Sequence, residues 1–168
     1  LDAAKILKTR KIDDIEIQFV GDGVLKPNLI ERAENENLIN CKFIDPMPKK
    51  DLFDYILKNG SVGLMILDNI PAFYYGTSPN KFFDYISLGL PVLNNYPGWL
   101  AHLITKNQCG IVVPPNNPML FAEALINMKK NPKILFQMGE NSRKLANDSF
   151  NRERLSDQFV NFLESCIK

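Results

Sequence analysis

Small polar residues and one lysine stand directly before a short apolar helix. They are Gly76, Thr77, Ser78, Pro79, Asn80 and Lys81. A cation in the first turn of a helix is opposed by the helix dipole, at a cost of about 0.3–1 kcal/mol. A bound phosphate would make the position of the lysine favourable, because the free N–H groups and the lysine would then face an anion. The segment is therefore a candidate phosphate site, and a surface lysine is the alternative.

Asp84 is an acid in the same, otherwise apolar helix. Because a bare carboxylate is costly to bury, we expect Asp84 either to face solvent or to hold a hydroxyl or an amine. Thr77 or Ser78 can cap the helix and Pro79 suits its first turn, which explains these residues without a ligand. The one histidine, His102, has no serine or cysteine that can be placed beside it, so we expect it at the surface or in packing.

A second candidate loop follows the first predicted strand, where residues 19–23 read FVGDG. Its glycines would let backbone N–H groups approach a phosphate. The pattern is not G-x-G-x-x-G, because Lys26 stands three residues beyond Gly23, so the dinucleotide fingerprint is absent. A tight turn and a phosphate loop both explain these residues.

Composition excludes several classes of protein. The chain has 168 residues and is 45% hydrophobic, which is enough for the core of one domain. Its 20 basic and 19 acidic residues nearly balance without a basic block, so we expect no nucleic-acid partner. Cys41, Cys109 and Cys166 lack metal-binding spacing, which predicts buried, reduced thiols in a cytoplasmic protein. No credible Asp-x-Asp signature occurs, and we expect no metal.

Strand-like and helix-like segments alternate along the chain. Strands are predicted at DIEIQFV, NCKFID, VGLMIL, LPVLNN and GIVVP, with helices between them and three helical segments after the last. This order predicts an α/β fold, a Rossmann-like, doubly wound parallel sheet in three layers, α/β/α. We expect one domain over residues 1–168, with 151–168 as a C-terminal helix whose apolar stripe packs on this domain or on a partner domain.

Ligands of such sheets bind beyond the carboxyl ends of the strands. Four loops therefore matter, residues 21–23, 45–47, 68–80 and 94–98. The first residues, LDAAKILKTRK, predict a helix already in progress. We therefore expect a fragment of a larger protein, without the sheet's first strand and an N-terminal domain.

Two segments resemble a known family closely. They are SPNKFFDYISLGLPV at residues 78–92 and CGIVVPPNNP at residues 109–118. With the other segments in the same order, the chain resembles the C-terminal, nucleotide-sugar-binding half of a family 4 retaining glycosyltransferase of GT-B type. The branch that builds bacterial surface polysaccharides is the most similar.

The resemblance implies a role for each loop. Gly21 and Gly23 would lie near the diphosphate, Asp45, Pro46 and Met47 near the base, and Gly76, Thr77, Ser78, Asn80 and Lys81 at the donor sugar and phosphate. Asp84 would replace the second glutamate of the family's Glu, seven residues, Glu motif, which contacts the ribose. The first glutamate falls on Gly76, which has no side chain to offer. Lys81 and Asp84 are the residues expected to serve catalysis.

The resemblance implies transfer of a hexose or N-acetylhexosamine from a nucleoside diphosphate sugar, with UDP-sugar favoured and no further cofactor. The acceptor would be a glycan or glycolipid in polysaccharide biosynthesis, with retention of configuration. The expected partners are the nucleotide-sugar and the enzyme's N-terminal domain, through which alone the cytoplasmic protein would touch the inner membrane face. The alternatives are a non-catalytic nucleotide-binding or interaction module and a GT-B-type sugar-nucleotide epimerase. The isolated chain is expected to bind nucleotide weakly and to transfer no sugar.

Overall fold

The computed structural model describes residues 1–167. Its helices are α1 (Asp2–Thr9), α2 (Lys26–Asn35), α3 (Lys49–Asn59), α4 (Pro71–Gly76), α5 (Asn80–Ser87), α6 (Trp99–Lys106), α7 (Pro118–Lys130), α8 (Pro132–Phe150) and α9 (Arg152–Ser165). Its strands are β1 (Ile17–Val20), β2 (Cys41–Ile44), β3 (Gly63–Met65), β4 (Val92–Asn94) and β5 (Gly110–Val112). All five predicted strands are present, and the fold is the expected α/β arrangement of parallel strands and helices.

The strands form two parallel sheets instead of the single sheet that the sequence predicted. β1 pairs with β2, and β3, β4 and β5 pair in that order. A cavity of about 640 Å³ lies between β1 and β3, lined by residues of both.

The two sheets differ in burial. Val92, Leu93 and Asn94 of β4 are inaccessible to solvent, as expected for the central strand of a covered parallel sheet. Helix α5 packs beside this sheet through Phe82 and Ile86, which are also fully buried. In the two-stranded sheet only Ile17 is buried, and the other strand residues keep part of their exposure.

The segment before α5 corrects two predictions. Residues 68–80 were expected as a loop, but Pro71–Gly76 forms the short helix α4 with Pro71 in its first turn. Thr77 or Ser78 was expected to cap α5, but the cap residue is Pro79 and no side chain accepts a hydrogen bond there. The first N–H groups of α5 therefore have no side-chain cap.

The C-terminal helix and the cysteines bear on two further expectations. Helix α9 buries none of its described side chains, so its stripe of Leu155, Phe159, Phe162 and Leu163 is not covered by this domain. Cys109 is buried, as predicted, but Cys41 is only half-buried, and Cys166, which follows α9, is exposed. Burial raises the pKa of the Cys109 thiol to about 11 and also raises that of Cys41. Within residues 1–167, no helix combines the length and the apolar character needed to cross a bilayer.

Candidate functional site

Lys26 joins two of the predicted loops at the carboxyl end of the two-stranded sheet. Its Nζ donates to the Gly21 carbonyl oxygen at 2.9 Å, to the Ile44 carbonyl oxygen at 3.4 Å and to Asp45 Oδ1 at 2.9 Å. The hydrogen bond from Lys26 lowers the pKa of the Asp45 carboxyl. Sequence reasoning used Lys26 only to reject a fingerprint, and missed its structural role.

The glycine loop is open. Gly21 has a φ of +128°, a conformation that L side chains rarely adopt, so glycine is required there. Gly23 has no such requirement, and a Cβ at this position would meet no atom within 4 Å. Its N–H donates to Asp22 Oδ1 at 2.8 Å, which closes a local turn. The loop therefore forms a tight turn, and the space beside Gly23 is open.

The neighbouring loop after β2 presents a mixture of exposed and half-buried residues. Asp45 and Pro46 are exposed, and Met47 is half-buried. Helix α3 begins two residues later at Lys49, whose Nζ lies 5.2 Å from the centre of the Phe53 ring. This loop therefore leads directly into a helix whose first residue is a cation.

The third predicted loop is held by one side-chain hydrogen bond and by a close backbone contact. Trp99 Nε1 donates to the Thr77 carbonyl oxygen at 2.8 Å. A Cβ on Gly98 would lie 2.5 Å from the Tyr74 carbonyl oxygen, so the two segments touch at backbone level. A Cβ on Gly76 would meet nothing within 4 Å. Ser78 and Asn80 are exposed, so the polar residues before α5 face outwards.

Lys81 lies one residue into α5 and lines the cavity between β1 and β3. Lys81 is exposed, and the protein atoms near its ammonium lower the pKa of this group by desolvation. Among residues 1–167 no carboxylate forms an ion pair with it. An unpaired, partly desolvated cation at an uncapped helix start is arranged to attract an anion.

Asp84 faces the same cavity one turn further along α5. Its Oδ1 lies 2.9 Å from Lys49 Nζ, and its side chain is 25% exposed. The prediction that this acid faces solvent or holds an amine is confirmed in its second form. Lys49 was missed, although it is a cation in the first turn of a helix, the same signal that drew attention to Lys81.

The predicted site residues thus fall into two groups. Gly21, Gly23, Asp45, Pro46 and Met47 belong to the two-stranded sheet, and Gly76, Thr77, Ser78, Asn80, Lys81 and Asp84 belong to the three-stranded sheet. The ion pair of Lys49 with Asp84 connects the groups. His102 is exposed on α6, as expected for a residue outside the chemistry. The absence of a metal stays a prediction.

Comparison with known proteins gives three consistent results. The sequence profile described as "Glycosyl transferases group 1" matches residues 1–145. The O-antigen chain mannosyltransferase C of Escherichia coli is 22% identical over 155 residues, which cover 92% of this chain and 40% of that protein. A sucrose-phosphate synthase structure from Thermosynechococcus elongatus superposes with a TM-score of 0.76 at 17% identity. The match covers 99% of this chain and 42% of the synthase chain.

A structure of Anabaena HepE in complex with UDP superposes with a TM-score of 0.71 at 13% identity, over 98% of this chain and 52% of that one. The chain thus spans about half or less of the length of the proteins it matches. At these identities the solved structures support the fold alone, an α/β arrangement of the kind found in GT-B glycosyltransferases.

Proposed function

Because the chain belongs to the group 1 glycosyl transferases, we propose that it is the donor-binding part of a family 4 enzyme that transfers sugar with retention. The donor is a nucleoside diphosphate sugar, preferably a UDP-sugar, and the transferred group is a hexose or N-acetylhexosamine. The acceptor is a glycan or glycolipid of a bacterial surface polysaccharide. The O-antigen mannosyltransferase relative supports that acceptor class.

The observation that carries this proposal is the state of Lys81. Lys81 is exposed, has no ion pair within residues 1–167 and lies in the first turn of α5, whose N–H groups have no side-chain cap. A diphosphate placed there would accept hydrogen bonds from the lysine and from the helix end together. This explains why the residues before α5 are small and polar, since they leave room for a sugar diphosphate.

Transfer needs the departing diphosphate to be stabilised as charge builds up on it. Fixed cations and N–H groups do this best when they point at the developing charge before the reaction starts. Lys81 supplies the cation, and the burial of Phe82 and Ile86 fixes the helix that carries it. Asp84 holds the ribose through its free carboxylate oxygen while Lys49 neutralises the other. The backbone of residues 45–47 lies against the base.

An N-terminal domain of the full-length enzyme completes the cleft and binds the acceptor. The enzyme acts in the cytoplasm, with contact to the inner membrane face through that domain. The UDP-bound HepE structure supports a uridine donor through its fold alone. No metal or second cofactor is part of this proposal.

Calorimetric titration with UDP, GDP and dTDP at low salt tests the proposal. We expect binding of UDP, weakened about 10- to 100-fold by Lys81→Ala, the equivalent of a charged hydrogen bond of about 1.5–3 kcal/mol. Lys144→Ala removes an exposed lysine of α8 and serves as the matched control. Equal affinities of the two variants would remove Lys81 from the site. Absence of binding by all three nucleotides would overturn the donor assignment.

The open position of Gly76 favours a second candidate, a non-catalytic nucleotide-binding module. A side chain would fit at this position, so the fold does not require glycine in place of the family's glutamate. Full-length protein with radiolabelled UDP-sugar separates the two candidates. Transfer or hydrolysis of the donor supports the enzyme, and nucleotide binding without either supports the module.

A further inference from the structure

The acids that line the cavity between β1 and β3 are all neutralised by cations. Within residues 1–167 the cavity is lined by three carboxylates, and each forms an ion pair: Asp14 with Lys129, Glu16 with Lys42, and Asp84 with Lys49. Lys81 lines the same cavity and takes part in none of the ion pairs of these residues. The charge of Lys81 is therefore left for a ligand.

Asp84 has a nearer cation along its own helix. Lys81 precedes it by three residues in α5, and side chains at this spacing are neighbours on a helix surface. Asp84 Oδ1 nevertheless lies 2.9 Å from the Nζ of Lys49, which belongs to α3. Desolvation lowers the pKa of the Lys81 ammonium, and no carboxylate of the described residues counteracts this. Asp84 is thus directed to Lys49 and away from Lys81.

The position of Lys49 is not explained by the stability of its own helix. It is the first residue of α3, where the helix dipole opposes a cation. Its Nζ lies 5.2 Å from the centre of the Phe53 ring, one turn further along α3, which favours a cation at that place. Because Lys49 is 65% exposed, its pair with Asp84 adds little to folding. The arrangement of charge therefore matters more for binding than for stability.

We propose that Lys49 is a positioning residue of the donor site, which holds the Asp84 carboxylate away from Lys81 and so keeps the charge of Lys81 available to a phosphate. This inference rests on the proposed function, because the anion is the diphosphate of the donor. Without Lys49 the carboxylate would neutralise Lys81, and a bound phosphate would face the negative charge of Asp84. Lys49 acts through Asp84 and does not contact the ligand.

The first test measures binding of inorganic pyrophosphate by NMR titration. Pyrophosphate lacks the ribose that Asp84 is proposed to hold, so it reports the phosphate position alone. We expect Lys49→Ala to weaken binding about two- to fivefold, the size of an exposed ion-pair interaction. Lys49→Arg keeps the charge and can still pair with a carboxylate, so it should bind as the wild type does.

Lys50→Ala is the matched control for Lys49→Ala. It removes the next lysine of the same helical turn, which is exposed and forms no ion pair within residues 1–167. We expect this variant to bind pyrophosphate nearly as well as the wild type. An equal loss in Lys50→Ala and Lys49→Ala would show a general effect of net charge and would overturn the proposal.

The effect of Lys49 must depend on Asp84. In the Asp84→Asn background no carboxylate is left to neutralise Lys81, so adding Lys49→Ala should change pyrophosphate affinity no more than Lys50→Ala does. An undiminished loss in this background would mean that Lys49 contacts the anion itself. No loss in either background would mean that the ion pair is unconnected with the site. Each of these two results would overturn the proposal.

The pKa of the Lys81 ammonium, measured without ligand by NMR of its labelled Cε, follows the same step. Lys49→Ala should raise this pKa, because a nearby carboxylate favours the charged ammonium. The rise should disappear in the Asp84→Asn background and should be absent from Lys50→Ala. An unchanged pKa in Lys49→Ala would contradict the role of Lys49. A raised pKa in a protein that binds neither pyrophosphate nor UDP would support that role and refute the donor assignment.

Discussion

The two-stranded and three-stranded sheets carry different parts of one site and differ in how firmly they hold them. β4 is inaccessible to solvent between β3 and β5, and α5 is anchored on it by Phe82 and Ile86. β1 and β2 remain partly exposed. The difference shows that a parallel strand is well covered when it has neighbours on both sides. Lys81 therefore stands on a rigid support, whereas Lys26 and Lys49 stand on a less covered one.

The largest expected effect tests this difference in packing. Phe82→Ala removes a fully buried ring, and we expect it to lower the free energy of unfolding by about 3–5 kcal/mol. Phe19→Ala removes a half-buried ring of β1 that stacks on Phe43 at 4.9 Å, and we expect roughly half that loss because less area is buried. Urea unfolding followed by circular dichroism measures both. Equal losses would mean that the two sheets are equally well packed.

A second prediction compares the effect of an acid at Gly76, near the proposed sugar, with that of an acid at Gly23, near the proposed diphosphate. Gly76→Glu restores an acid where the family has one, and we expect about 10- to 100-fold tighter binding of UDP-glucose, from a charged hydrogen bond of about 1.5–3 kcal/mol. Binding of UDP alone should not change, because the acid would contact the sugar. Calorimetry with both ligands measures the difference.

Gly23→Glu is the matched control for that variant. It also enters open space without backbone strain, but beside the proposed diphosphate. We expect it to weaken binding of both ligands by like-charge repulsion. The same response from Gly76→Glu and Gly23→Glu would argue against separate sugar and diphosphate positions in the two groups of residues.

The pH dependence of binding tests the charge of Lys81. Burial lowers the pKa of this ammonium below its ordinary value of 10.5. The ammonium holds phosphate at pH values below its pKa and loses its charge as the pH rises through it. On raising the pH, the loss of UDP affinity should therefore set in at a pH lower than 10.5. Lys81→Arg keeps its charge throughout, and its affinity should stay level over that window. Parallel profiles for wild type and Lys81→Arg would show that another group controls the dependence.

The smallest expected effect concerns the ion pair that connects the two sheets. Lys49 is 65% exposed and Asp84 is 25% exposed, so solvent screens their attraction. A double-mutant cycle of Lys49→Ala and Asp84→Ala is expected to give a coupling of about 0.2–1 kcal/mol in the free energy of unfolding. A coupling of several kcal/mol would mean that this pair, and not the packing of the helices, joins the sheets.

Local patterns predicted the elements well. The five strands and the three helices after the last strand followed from apolar runs, prolines and helical period, which depend on neighbouring residues only. The helix α4 was missed because its six residues, starting at Pro71, are too few to show a helical pattern of apolar residues. The predicted cap of α5 was wrong. Threonine and serine are common cap residues, which favoured Thr77 or Ser78, but the backbone places Pro79 at the cap position.

Features that depend on distant residues were not predictable from one sequence. The separation into two sheets depends on which strands meet, and the Lys49 to Asp84 pair joins residues 35 positions apart. Lys26 was visible, but only the fold shows that it holds Gly21 and Asp45 together. The exposure of Cys166 could not be foreseen because cysteine is buried in most proteins.

That exposed thiol makes the protein easy to label at one place. Cys109 is enclosed and Cys41 is half-buried, and burial raises the pKa of both thiols, which disfavours the reactive thiolate. A maleimide dye added near neutral pH should therefore react first at Cys166, just beyond α9. The chain needs no engineered cysteine to carry a fluorescent reporter there, and its signal would register any contact that covers the apolar stripe of α9.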